Sequence, residues 1–236
     1  MAESKTRTTR LTRAALLLGG FFALDKGVAF VRQVIIAQQF GLSAELDAFN
    51  VANNLPDMLF ALISGGALAM AFIPVLSEVL NRDGQKAAWD LFSRIANLAF
   101  LVTAGLAVVV LIFAPQIVRS EVGIAPGFGT PQQDLVIDLM RLNLVATLIF
   151  SISGLVIAGL QANKHFLLPA LAPILYNIGQ IFGALILAPQ QGYALGSVTL
   201  PAFGMGVHGL VYGVVIGAIL HLGIQIPGLI RYHFQW

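Results

Sequence analysis

Cysteine is absent from the 236 residues, and charge is scarce: 13 Lys and Arg with 11 Asp and Glu make up only 10% of the chain. Without cysteine there is no disulfide framework, no thiolate metal site and no thiol nucleophile. The shortage of charge excludes more. A soluble domain carries about 25% charged residues, so a water-facing surface cannot be assembled here and a soluble enzyme is excluded. Disorder is excluded too, because low hydrophobicity is its signature and 58% of these residues are hydrophobic. His165, His208, His221 and His233 are scattered without metal-ligand spacing. No Gly-rich phosphate loop, HExxH pair or nucleophile elbow occurs. Neither an enzyme nor a metal or other cofactor is expected.

What is abundant is apolar sequence, with a mean hydropathy of +0.86. A helix needs about 20 residues to cross the hydrocarbon core. Six segments are long enough: Leu11–Phe40, Ala48–Val75, Ala87–Val118, Leu135–Leu160, Leu167–Leu187 and Gly206–Ile230. They are apolar all round, whereas barrel strands alternate apolar and polar residues. The expected fold is therefore all-α, a multi-pass membrane bundle of six transmembrane helices. The apolar run from Ala14 to Phe40 outlasts the roughly 7–15-residue core of a signal peptide and reads as a retained first span. The expected organisation is a basic cytoplasmic N-terminus over 1–13, a transmembrane lobe over 14–230, and a cytoplasmic tail over 231–236 that stops short of a full-length chain.

A net charge of +2 and a pI near 9.2 invite a nucleic-acid reading, but the placement of the charges opposes it. With the N-terminus inside, Lys5, Arg7, Arg10, Arg13, Arg82, Lys86, Arg94, Lys164 and Arg231 fall on the cytoplasmic side and only Arg119 outside. That asymmetry is the positive-inside pattern, and it places both termini in the cytoplasm. The connection from Ala188 to Met205 carries no charge and is rich in Gly and Pro.

Polar residues inside the spans are the candidates for function, since ionisable groups in hydrocarbon must face protein or water. Asp25 and Arg32 differ by only about 20° around the first helix, and Gln39 continues their stripe, while Lys26 lies about 100° away. Asp25 and Arg32 are about 10 Å apart along the axis, too far for a direct salt bridge. On the second span Asn50, Asn53, Asn54 and Asp57 form one polar stripe. Pro56 lies within that span, and Ser64, Gly65 and Gly66 follow it, where bending or close approach is easy. One reading is a water-filled cavity lined by the first two spans, with cations available to an anionic group. The other is a set of charges neutralised inside the bundle that sets helix register. Two stripes together carry more polarity than register requires, which favours the cavity.

Elsewhere the polar residues have simpler explanations. Asp134, Asp138 and Arg141 suggest an Asp138–Arg141 pair. Tyr176, Asn177 and Gln180 either line the same cavity or supply one interhelical hydrogen bond. His221 and Gln225 read as side chains snorkelling to an interface. Phe21, Phe22 and Phe30 read as lipid-facing or packing residues.

At these residues the chain resembles the lipid II flippase family (MurJ, or MviN) of the MOP exporter superfamily. The resemblance is carried by Arg32, Ala37-x-x-Phe40-Gly41, Asp47-Ala48-Phe49-x-Val51-Ala52-x-x-Leu55-Pro56, Gly66-Ala67-Leu68 and Ala71-Phe72-Ile73-Pro74-Val75-Leu76. It continues through Ala125-Pro126-Gly127-Phe128, Gln161-Ala162-Asn163-Lys164-His165-Phe166, Pro169-Ala170, Pro173, Asn177 and Gln225-x-Pro227.

The resemblance implies movement of a polyprenyl-pyrophosphate-linked peptidoglycan precursor across a bacterial cytoplasmic membrane by alternating access. The headgroup would be held in a central cationic cavity. Lys26 and Arg32 match two cavity cations of the family, and Asp47 its acidic residue between the first two spans. With Asp25, Asn50, Asn53, Asn54 and Asp57, they make up the expected substrate-binding set. The chain departs from the family at Phe60, where a cation is common, at Gly65, where an acid often stands, and at Gln33, which replaces an Asp. It matches only the N-terminal lobe. The implied partners are thus lipid II or a similar polyprenyl-pyrophosphate-linked sugar, membrane lipid, and either a C-terminal lobe or a second copy. The alternatives are an exporter of another such oligosaccharide, and a non-transporting membrane scaffold.

Overall fold

The computed structural model describes residues 2–63, 67–196 and 198–234. Ser64, Gly65, Gly66 and the tail residues Gln235 and Trp236 lie outside the described residues, as do the side chains of Phe60 and of the basic residues Lys5 to Arg13. The described chain is helical apart from one small ribbon. In order it runs through α1 (Ala2–Phe40), α2 (Ala44–Ile63), α3 (Ala67–Arg82), α4 (Gly84–Arg119), α5 (Thr130–Ala162) and α6 (Leu167–Phe182). A π-helical turn, Gly183–Leu187, extends α6. Next come β1 (Ala194–Leu195) and β2 (Val198–Thr199), paired antiparallel, and finally α7 (Val207–Gly223) and α8 (Ile226–Arg231).

Among the described residues, four stretches are long and apolar enough to cross a membrane: Gly84–Arg119, Thr130–Ala162, Leu167–Leu187 and Val207–Arg231. They correspond to the last four expected spans. The second expected span, Ala48–Val75, is represented by α2 and α3 on either side of residues 64–66.

Short polar signals stop and start the helices. Gly41 follows α1 with a φ of 57° and returns its N–H to the Ala37 carbonyl at 2.9 Å, a left-handed cap that suits glycine. Ser43 then caps α2, its Oγ accepting the Leu46 N–H at 3.2 Å. Glu45 and Asp47 occupy the first turn, where the helix dipole favours negative charge.

The packing is that of a membrane bundle. Along α4 the buried positions are Ala88, Trp89, Phe92, Ala96, Ala99, Thr103, Ala107, Val110, Ala114 and Val118, a seam of mostly small residues beyond Phe92. Its opposite face exposes Leu98, Leu101, Val102, Val108, Val109, Ile112 and Phe113. In lipid, large apolar side chains gain nothing by leaving the hydrocarbon, so close backbone approach decides which face turns inward.

The same logic joins α6 to α7. Gly209, Gly213 and Gly217 recur every fourth residue on α7 and meet Gly183 and Gly179. A Cβ on Gly179 would lie 2.4 Å from the Gly217 Cα, and one on Gly213 would lie 2.8 Å from the Gly183 Cα. α5 packs against α2, α3, α4 and α7 and is the central helix of the described bundle. α1, by contrast, touches α6 and the π turn and exposes Leu16, Leu17, Phe22, Leu24, Phe30 and Val31.

Two polar expectations are corrected. His221 and Gln225 do not reach an interface; they are 7% and 0% exposed. Gln225 Nε2 donates to Ser153 Oγ at 2.6 Å and to the His221 carbonyl at 2.8 Å, and Ser153 Oγ lies 2.7 Å from His221 Nδ1. The cause is the break between α7 and α8 ahead of Pro227, which brings the Gln225 amide back over the preceding turn. Arg141 does not pair with Asp138. Its Nε donates to the Leu111 carbonyl at 3.3 Å, while Arg119 forms the ion pair with Asp134.

At the end holding the α3–α4 turn, Trp89 stacks edge-on against Phe92 and Phe234, with centroids 5.6 and 5.1 Å away. Trp89 Nε1 and Gln85 Nε2 both donate to the Tyr232 carbonyl, which ties the end of α8 to the start of α4.

Candidate functional site

α1, α2, α5 and α6 enclose a cavity of about 340 Å³ whose wall includes Arg32, Asn50, Asn53, Asp57, Asn143 and Gln180. A smaller pocket of about 110 Å³ adjoins it, sharing Asp57, Asn143, Tyr176 and Val214 and ending on Pro56, Thr147 and Phe150. Arg32 from the first polar stripe and Asn50, Asn53 and Asp57 from the second therefore face one space.

Arg32 is the cation of this space. Its Nη1 donates to Asn177 Oδ1 at 2.8 Å, and the Asn177 amide nitrogen donates to Asp25 Oδ1 at 2.8 Å and to the Pro173 carbonyl at 3.1 Å. Asn177 is 4% exposed and Asp25 7%. Among the described residues no carboxylate pairs directly with Arg32, so its charge is held in place by an amide and not cancelled by an adjacent anion. Its Nε is buried without a partner, and the Gln180 amide nitrogen on the same cavity wall is in the same condition. Buried donors without acceptors are uncommon in native structures. One of these two belongs to the guanidinium itself, and the other stands on the same cavity wall.

Amides dominate the rest of the wall. Asn143 on α5 donates its Nδ2 to Asn53 Oδ1 at 2.5 Å, locking α2 to α5 across the cavity floor. Tyr176 lies edge-on to Phe150 at 5.1 Å and closes the side towards His221.

Of the eight expected site residues, Arg32, Asn50, Asn53 and Asp57 line the cavity, and Asp25 is joined to it through Asn177. Lys26, Asp47 and Asn54 do not line it. Lys26 is 63% exposed, with its Nζ 3.2 Å from Asp25 Oδ2 and 5.1 Å from the Phe22 ring centroid. Asp47 and Asn54 are exposed, Asp47 on the first turn of α2.

Asn143 and Gln180 were not among those eight. Asn143 carries no signal at all, being one amide in a long apolar helix; Gln180 could be found by its spacing from Tyr176. Among the described residues no cluster of His, Cys, Asp or Glu is arranged to hold a metal ion.

Comparison with known proteins agrees with this architecture. The family model described as "Lipid II flippase MurJ" matches residues 36–236. A "Lipid II flippase MurJ" of Burkholderia cenocepacia is 31% identical over 93% of this chain and 40% of its own length. A "Probable lipid II flippase MurJ" of Thermotoga maritima is 28% identical over 83% of this chain and 38% of its own. The solved structure titled "Lipid II flippase MurJ, inward closed conformation" superposes with a TM-score of 0.69 at 22% identity, covering 94% of this chain and 43% of that one. The chain thus spans about two fifths of the length of the curated relatives it matches.

Proposed function

The chain belongs to the lipid II flippase MurJ family, and from that premise we propose that it forms the N-terminal lobe of a flippase for a polyprenyl-pyrophosphate-linked peptidoglycan precursor. Movement of an intact lipid breaks no bonds, so the chain is a transporter component and not an enzyme. It resides in the bacterial cytoplasmic membrane with six spans and both termini on the cytoplasmic side. α1 and the α2–α3 pair add two spans to the four that are apolar by composition. The nine-to-one distribution of Lys and Arg supports this orientation. The basic segment 1–13, the lobe 14–230 and the tail 231–236 are its parts.

The observation that carries the reading is Arg32. It stands in a polar cavity, oriented by Asn177, with its Nε unpartnered and the unpartnered Gln180 amide nitrogen on the same wall. A guanidinium bonds two oxygens of a pyrophosphate at once, and the surrounding amides suit the hydroxyl and amide groups of a sugar headgroup. α1 also presents an apolar face that its own bundle leaves uncovered. A second lobe, from the remainder of a longer protein or a second copy, covers that face and completes the cavity against which this lobe rocks.

In the complete protein, Arg32→Ala is expected to abolish translocation of lipid II in reconstituted vesicles. Unchanged translocation would end the cavity-cation role. The other cargo, a different polyprenyl-pyrophosphate oligosaccharide, is favoured by Phe60 standing where the family commonly has a cation; competition between the two lipids for binding separates them. A non-transporting scaffold predicts instead that Arg32→Ala leaves the host's precursor traffic untouched.

A further inference from the structure

The smaller pocket beside the Arg32 cavity has a chemistry of its own. It measures about 110 Å³, and its polar wall is made of Asp57 from α2, Asn143 and Thr147 from α5, and Tyr176 from α6. Acceptors outnumber donors on that wall. Asp57 forms no ion pair among the described residues. Asn143 and Thr147 are each only 3% exposed. Asn143 commits its Nδ2 to Asn53, which leaves its Oδ1 without a hydrogen bond among the described residues. Thr147 gives its hydroxyl proton to the Asn143 carbonyl at 3.3 Å, which leaves the lone pairs of its Oγ1. Asp57 also lines the larger cavity with Arg32, yet Arg32 turns its Nη1 to Asn177 instead. A negative charge therefore faces the space proposed for an anion, with no cation of this chain set against it.

We propose that this pocket binds a monovalent metal cation of sodium size, with Asp57 supplying the charge and Asn143 Oδ1 and Thr147 Oγ1 the neutral oxygens. One carboxylate balances one positive charge, and a neutral pair is the form tolerated away from bulk water. A divalent ion would keep half its charge uncompensated here, and calcium takes about 6–8 oxygens, commonly from several carboxylates. Transition metals are held by imidazole or thiolate ligands, and among the described residues no cluster of that kind occurs. The pocket is several times the roughly 30 Å³ that one water occupies, which is room for an ion and a water or two. Because the two spaces share Asp57 and Asn143, a cation held here offsets the carboxylate and strengthens the hold of Arg32 on an anion. Such coupling is reciprocal, so the anion strengthens the hold on the cation by the same factor. The cation site stands on its own oxygens; only this linkage rests on the pyrophosphate reading of Arg32.

The experiment measures binding of radioactive sodium to the full chain in nanodiscs, with choline chloride holding the ionic strength constant. Asp57→Asn and Thr147→Val are the variants, and thermal unfolding confirms that each is folded. Saturable sodium binding is expected, abolished by Asp57→Asn and weakened at least about fivefold by the near-isosteric Thr147→Val. Arg32→Ala is expected to bind sodium at least as well as the wild type, since it removes a positive charge from the adjoining cavity. On the same samples, inorganic pyrophosphate is expected to bind at least about threefold more tightly in sodium than in choline, and Asp57→Asn is expected to lose that difference. No saturable sodium binding, or equal binding by the wild type and both variants, would overturn the site. Displacement of sodium by magnesium at lower concentration than by potassium would overturn its monovalent character. Sodium binding with no pyrophosphate binding in either medium would leave this site standing and end the Arg32 reading, so the two fail separately.

Discussion

Asp25 and Arg32, two turns apart on α1, are coupled through one side chain: Asn177 accepts from Arg32 Nη1 and donates to Asp25 Oδ1, each at 2.8 Å. An amide serves both, because one neighbour offers donors and the other only acceptors. The arrangement keeps Arg32 pointed into the cavity without an anion against it.

Asn177→Leu removes both bonds. The variant is expected to bind inorganic pyrophosphate about tenfold more weakly, the equivalent of one charged hydrogen bond's positioning. Asn177→Asp restores an acceptor for Arg32 but sets a second carboxylate against that of Asp25 in place of the lost donor, and is expected to bind pyrophosphate no better than the leucine variant and to unfold at a lower temperature than the wild type. Calorimetric titration and a thermal melt read the two effects separately. Wild-type affinity in the leucine variant would show that Arg32 is held by something else.

The α6–α7 crossing is expected to reject any added side chain. Gly179→Ala and Gly213→Ala each place a Cβ inside 3 Å of facing backbone, and overpacking of this kind costs about 1–3 kcal/mol. Gly105→Ala on α4 has nothing within 4 Å of the new Cβ and is expected to be neutral or stabilising by up to about 1 kcal/mol, from helix propensity alone. Unfolding of the three variants in one detergent is the comparison, and equal stability of all three would remove the close-contact account.

Ser153 holds the buried end of α7. Its Oγ accepts from Gln225 Nε2 and shares a second hydrogen bond with His221 Nδ1. Ser153→Ala removes the hydroxyl partner of the buried His221 Nδ1 and one of the two acceptors of Gln225 Nε2, and is expected to destabilise the protein by about 1–3 kcal/mol. Ser153→Thr, which keeps the hydroxyl, should recover part of that loss in the same melt.

His165, in the turn between α5 and α6, has its pKa lowered, first by burial and then by the charge of Arg231. The unfolded chain therefore binds this proton more readily than the folded one. The contribution of His165 to stability is intact above about pH 6.5 and is lost as pH falls towards its lower folded value. Thermal unfolding at about pH 8 and about pH 5 is expected to show a larger acid loss for the wild type than for His165→Gln. An identical pH dependence in the two would mean that His165 does not contribute.

Much of this protein follows from its sequence alone. Scarce charge and long apolar runs dictate a helical membrane bundle, because backbone polar groups in lipid must be satisfied within a helix. The stripe of Asn50, Asn53, Asn54 and Asp57 was visible because helical periodicity is local, and Arg32 stood out because a cation in hydrocarbon demands an explanation. Tertiary structure decided the remainder. Asn177 lies 152 residues from Asp25, and no spacing rule announces that one amide will bridge two groups on a distant helix. Lys26 has the same charge as Arg32, yet its place about 120° away around α1 turns it out of the cavity, since which side of a helix faces the bundle depends on its neighbours. Asn143 and Gln225, each a single polar residue in an apolar run, acquired their roles only when α2 and α5, and then α7 and α8, were packed together. Local pattern specifies the helices and their polar faces; which faces meet is a property of the assembled bundle.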